Sequence, residues 1–162
     1  MSSIAPEPKV QLPPRVPSEL LASGGFLFAK LGVMLKLKAL GAFEEVGFEA
    51  HQYSLLALLG EGDRETQATI ADVLGVDRSQ LVGILDDLEA KGLVERRRDP
   101  QDRRRHVVSL TADGRRQLVK LRDVIRRVEN EFFAPLDAAS REALYDALLS
   151  LAIYHDPRCS PE

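Results

Sequence analysis

The chain carries a single cysteine, Cys159, so no disulfide framework closes within it. Only Arg158 beside that thiol is electropositive, so an inert cysteine is expected, with a redox-responsive regulator using Cys159 as the alternative. The three histidines, His51, His106 and His155, do not converge in sequence. His155 lies near Asp156 and Cys159, but in a C-terminal stretch beside Pro157, and no metal or cofactor is expected. A nucleophile with its base, paired carboxylates in a cleft and a phosphate-binding glycine loop are all absent, which leaves no enzyme reading. Long apolar runs are missing too. The stretch from Leu20 to Leu40 comes closest to a membrane span, but Lys30, Lys36 and Lys38 interrupt it. No secretory pattern opens the chain, and a cytoplasmic protein without membrane contact is expected.

What is present is a soluble composition. The 162 residues are 44% hydrophobic and 29% charged, enough for one domain with a proper core or a small domain with accessory helices. The net charge of −3 argues against nucleic acid when taken alone. Its distribution argues the other way. From Lys91 to Arg105 seven basic residues stand against three acidic ones, a local +4 that leaves −7 for the remainder. An acidic body with one basic projection suits a protein that touches DNA with a small part of its surface.

Residues 1–17 hold five of the nine prolines and read as a flexible N-terminal arm. Ser18 is placed to cap a long helix running to about Val46, whose apolar residues cover more than one face; the Gly24-Gly25 pair weakens its first turns or marks a kink. Such coverage predicts a second chain packed against it, the alternative being a central helix in a monomeric bundle. Gly47 ends this helix, Glu49 or Ala50 starts the next, and the loop from Gly60 leads to Thr66 as an N-cap. After the wing, Thr111 caps a helix in which Leu118, Leu121, Ile125, Val128 and Phe132 follow a 3, 4, 3, 4 spacing, the seam of a coiled coil. Pro135 breaks it, and Asp137 or Ser140 opens a last helix ending near His155.

The stretch from Ile70 to Thr111 organises the rest. Ala71 and Gly75 stand four apart, as a helix-turn-helix needs: a small residue where two backbones touch, then a glycine for the turn. Ile70, Leu74, Val76, Leu81 and Ile84 lock the two helices together. Asp77 or Arg78 opens the second helix, which ends at Gly92. Its outward face carries Arg78, Ser79, Gln80, Val82 and Gly83, the expected base-reading positions, while Asp86 and Asp87 nearby are expected to limit its phosphate contacts. Leu93–Arg97 and His106–Leu110 alternate as strands around a turn at 99–103, forming a hairpin with Arg97, Arg98, Asp102, Arg103, Arg104 and Arg105 as its DNA-contacting residues. The fold class expected is mainly α with a small β-wing, a winged helix-turn-helix on an all-helical dimerisation platform.

Across the wing, Asp102, Arg104, Leu110 and Thr111 reproduce the Asp-x-Arg, five residues, Leu-Thr hallmark of the MarR transcriptional regulators. Gln52-Tyr53, Val76-Asp77-Arg78-Ser79 and the run Leu88–Arg96 match as well, and the chain resembles that family over about residues 18–156. The resemblance implies a homodimer on double-stranded DNA, a repressor released from a pseudo-palindromic operator by a small aromatic or anionic effector. The platform would comprise 18–48 and 112–156, the DNA-binding lobe 49–111, and a flexible tail 157–162. Phe26, Leu27, Phe132, Phe133, Leu148 and Leu151 are expected in the dimer interface, and Phe43, His51 and Tyr53 around the effector, although a buried histidine satisfied by backbone is the plainer account of His51. One departure stands out: many relatives carry a hydroxyl and a basic residue where this chain has Val82 and Gly83. A winged-helix dimer serving protein interaction is the alternative function.

Overall fold

A computed structural model of the chain describes residues 15–62, 65–99 and 106–160. The chain divides into two compact units, Met1–Met34 and Leu35–Glu162. In the first, the helix expected from Ser18 is two helices, α1 (Ser18–Leu21) and α2 (Gly24–Glu45), the second running on into the other unit. The break has a local cause. Ser23 Oγ accepts a hydrogen bond from Phe26 N at 3.2 Å and so caps a new helix start. Each of the two glycines that follow costs a helix about 1 kcal/mol relative to alanine. Ser18 is not the cap of α1; Pro17 holds that position, without a side-chain hydrogen bond. Leu27, Phe28, Leu31, Val33 and Met34 stay exposed, Phe28 to 63%.

The second unit holds the core. α2 ends where Gly47 N donates to Glu44 O at 3.0 Å and Phe48 N to Phe43 O at 2.9 Å, the paired bonds of a Schellman turn. Glu49 caps α3 (Ala50–Glu61), and Gln52 returns the bond by accepting from Glu49 N at 3.0 Å. A two-residue strand, β1 (Glu65–Thr66), follows, then α4 (Gln67–Leu74) and α5 (Arg78–Ala90). Gly75 between them sits at φ +62°, a conformation a side chain resists, which is why the turn needs glycine there. β2 (Val94–Arg98) and β3 (His106–Leu110) pair antiparallel with Arg96 opposite Val108. β1 joins the other edge of β3, giving the order β1-β3-β2; the sequence reading treats this third strand as loop.

Leu55, Leu56 and Leu59 of α3, Ile70 of α4, Leu81, Leu85 and Leu88 of α5, and Val108 of β3 are buried together. α6 (Ala112–Phe132) closes this core against α3 with Leu118, Leu121 and Val124. The 3, 4, 3, 4 seam is therefore divided. Leu118, Leu121 and half-buried Ile125 serve the chain's own core, while Val128 and Phe132 stay half-buried. The start of α6 is pinned by Thr111, whose Oγ1 accepts from Gly114 N at 2.9 Å and donates to Gly92 O at 2.7 Å. A Cβ on Gly114 would lie 2.0 Å from Leu93 O, so no other residue fits where α6 crosses the wing base.

α7 (Ala138–His155), capped by Asp137, contains no buried residue, and a 3-10 turn (Pro157–Cys159) follows it within the segment expected to be a flexible tail. Cys159 is exposed. Among the described residues no helix is long and apolar enough to cross a membrane, and no group of His, Cys, Asp and Glu is assembled to hold a metal ion.

Candidate nucleic-acid interface

α5 owes its start to Asp77. The Asp77 carboxylate accepts from Ser79 N and Gln80 N, both at 2.8 Å, and from Ser79 Oγ at 2.7 Å. Gln80 Oε1 accepts from Asp77 N at 3.2 Å, completing a capping box. The bond from Gln80, then those from Ser79, hold the Asp77 carboxyl below the usual carboxylate range. Arg78, Ser79, Gln80, Val82 and Gly83 are all exposed beyond this cap. Two of them are thus engaged with the helix start. Bidentate reading of adenine by a glutamine uses its carbonyl as well as its amide, and the Gln80 carbonyl already accepts from Asp77 N.

The acidic pair further along α5 is paired within the protein. Asp86 Oδ1 accepts from Arg96 Nη2 at 2.6 Å, and Asp87 Oδ2 from Lys91 Nζ at 2.7 Å. Lys91, then Gln52, hold Asp87 below the ordinary carboxylate range. Arg96 also grips Glu89, through Nε at 2.9 Å and its backbone N–H at 3.2 Å, and this contact depresses the Glu89 carboxyl. Arg97 pairs with Glu95 at 2.9 Å, whereas exposed Arg98 has no ion pair among the described residues. The basic charge counted along the sequence from Lys91 to Arg98 is therefore largely neutralised within the fold. Asp102, Arg103, Arg104 and Arg105 lie outside the described residues.

Between α2, α3 and α4 opens a cavity of about 860 Å³. α2 contributes Lys36, Leu40 and Glu44, the turn Phe48 and Glu49, α3 His51, Tyr53, Ala57 and Glu61, and α4 Val73 and Leu74. His51 and Tyr53 line it as the sequence suggests. Phe43 does not: it is only 2% exposed, in the core, its ring 5.1 Å from that of Tyr53. His51 is exposed, not a buried histidine satisfied by backbone. Three carboxylates, Glu44, Glu49 and Glu61, stand on the lining together with Lys36 and His51. A smaller cleft of about 360 Å³ lies between α3 and the recognition face, lined by Glu49, His51, Gln52, Ser79, Gln80 and Gly83 among others.

Sequence reasoning missed Gln52, Lys91 and Arg96 as site-organising residues. The sequence signals for Gln52 are the Gln52-Tyr53 family match and its place three residues after Glu49, as in a capping box, and neither points to Asp87. Of the expected interface residues, Leu27 and Leu151 are exposed, and Phe26, Phe132, Phe133 and Leu148 are half-buried.

Known proteins agree with this architecture. The family model described as MarR family matches residues 46–105. A relative from Thauera aromatica, described as a transcriptional regulatory protein for the hcr operon, is 29% identical over 135 residues, spanning 78% of this chain and 81% of its own length. The crystal structure of CouR from Rhodococcus jostii RHA1 bound to p-coumaroyl-CoA is 31% identical and superposes with a TM-score of 0.66, over 82% of this chain and 94% of that one. The transcriptional repressor CouR bound to a 23-mer DNA duplex is 32% identical, with a TM-score of 0.71 over 83% of this chain and 95% of that one. With its helix-turn-helix, its three-stranded wing sheet and these likenesses, the chain belongs to the MarR family of transcriptional regulators.

Proposed function

We propose that this protein is a dimeric, sequence-specific DNA-binding repressor whose grip on its operator weakens when a small aromatic ligand enters the cavity lined by α2, α3 and α4. The observation that carries this reading is that the 860 Å³ cavity and the cleft bordered by Ser79, Gln80 and Gly83 of the exposed α5 face share Glu49 and His51 in their linings. CouR, similar over most of its length, is known both on a DNA duplex and with p-coumaroyl-CoA, which supports the pairing of the two functions here. Residues 18–48 and 112–156 form the dimerisation platform in this reading, and 49–111 the DNA-binding lobe. Arg97, Arg98 and the wing residues Asp102, Arg103, Arg104 and Arg105 meet the backbone and minor groove. The exposed apolar residues of α2 and α7 support a partner chain, since surface apolar patches of this kind mark interaction sites.

Selection from a random duplex library tests the reading. A dimer of this fold should recover a pseudo-palindrome whose half-sites lie about one helical turn apart. Retention of no duplex at low salt would instead favour a protein-interaction module.

A further inference from the structure

Gln52 is the one buried polar side chain among the described residues, only 5% exposed. Burying an amide is unfavourable unless its hydrogen bonds are satisfied, and both ends of this one are used. Its Oε1 accepts from Glu49 N at 3.0 Å, and its Nε2 donates to Asp87 Oδ2 on the recognition helix. Lys91, one helical turn beyond Asp87, bonds the same carboxylate, reaches Gly47 O at 3.4 Å and lies 4.9 Å over the Phe48 ring. The turn between α2 and α3 is thus tied to the recognition helix by two side chains that meet on one carboxylate.

The other side of that turn faces the cavity. Phe48, Glu49 and His51 line the 860 Å³ cavity, and Glu49 and His51 also line the 360 Å³ cleft that Ser79, Gln80 and Gly83 border. The first turn of α3 is therefore a wall one residue layer thick between the cavity and the base-reading face.

We propose that this wall relays cavity occupancy to the recognition helix, with Gln52 as the positioning residue that carries it through Asp87. The proposal rests on the ligand-responsive reading above and names its path. A group that displaces Phe48 or Glu49 moves the backbone amide that Gln52 holds, and Gln52 passes the displacement to Asp87 without an intervening flexible loop. Coupling between sites needs such a contiguous, stiff connection and is measured by a double-mutant cycle.

The test fills the cavity with a side chain of the protein itself. Ala57→Trp places an indole among the lining residues and needs no ligand, and its effect is read on the duplex recovered by selection, using the full-length chain. In the wild-type background the substitution should weaken binding about tenfold. Gln52→Met removes the donor to Asp87 and the acceptor for Glu49 N without placing a second carboxylate against Asp87, so in that background the same substitution should weaken binding less than twofold. Asp87→Ala, at an exposed position, should uncouple the two equally and guards against a Gln52 variant that fails to fold. Equal losses in all backgrounds would overturn the relay while leaving ligand response intact. No loss even in the wild-type background would overturn ligand response and the relay together, and a chain that retains no duplex would end both with the DNA-binding reading.

Discussion

Arg96 of the first wing strand lies against Glu89 of the recognition helix, its Nε 2.9 Å from Oε2 and its backbone N–H donating to Oε1 at 3.2 Å. The same guanidinium reaches Asp86 at 2.6 Å. Two carboxylates of α5 and one arginine of β2 therefore hold the wing base to the helix that precedes it. An arginine that the sequence places in a DNA-binding patch is spent on orienting that patch.

Arg96→Leu should cost about 1 kcal/mol of stability, the scale of a partly exposed ion-pair network. Because Arg96 holds Glu89 below its ordinary value of 4.5, the contribution is complete above that pH and is lost as the pH falls further, through the depressed folded value. Urea titrations of both proteins from pH 7 downward should show their stabilities converging in the acid range. A constant gap would mean that Glu89 is not the group involved.

Gln80 has two duties, and substitution separates them. Gln80→Glu can still complete the capping box, so the melting temperature should hold, but it loses the amide donor, and binding to the selected duplex should weaken by about 1–3 kcal/mol. Gln80→Ala should lose in both respects. Should the glutamate variant bind as tightly as wild type, Gln80 is a helix cap and nothing more.

The wing predictions rest on motif and charge, since Asp102 to Arg105 lie outside the described residues. Arg104→Ala should weaken operator binding by roughly 1–3 kcal/mol with fold and dimer intact. Arg103→Ala should instead lower the salt slope by about one unit for each phosphate it no longer neutralises. Asp102→Ala should also weaken binding although it removes a negative charge, the outcome expected where the motif's carboxylate organises the hairpin. Tighter binding by this variant would show that simple repulsion governs it.

Sedimentation should show a dimer at micromolar concentration. Leu27 and Leu151 are both exposed in the single chain, and hiding residues of this kind is worth about 1.5–3 kcal/mol each. Leu27→Glu and Leu151→Glu should each shift the equilibrium toward monomer or unfolded chain. A wild-type protein that sediments as a stable monomer would contradict the dimer reading.

Local chemistry makes much of the fold legible in the sequence. Thr66, Asp77, Thr111 and Asp137 cap helices through bonds that reach no more than three residues along the chain, and Gly75 and Gly92 take positive φ at turns their neighbours already mark. The restart of the first helix at Ser23 is equally local, but a serine and two glycines are compatible with either a kink or a break. The sequence by itself determined the helix-turn-helix, the wing strands and the exposed face of α5, because periodicity and capping depend only on near neighbours. Only the tertiary structure decided which charges were free. Gln52 meets Asp87 across 35 positions, Arg96 reaches back to Asp86 across 10, and β1 is a strand because Glu65 lies opposite Val108. The division of the α6 seam has the same origin: a 3, 4, 3, 4 stripe states that a helix face will be covered, but whether its own chain or a partner covers it depends on where α3 is packed.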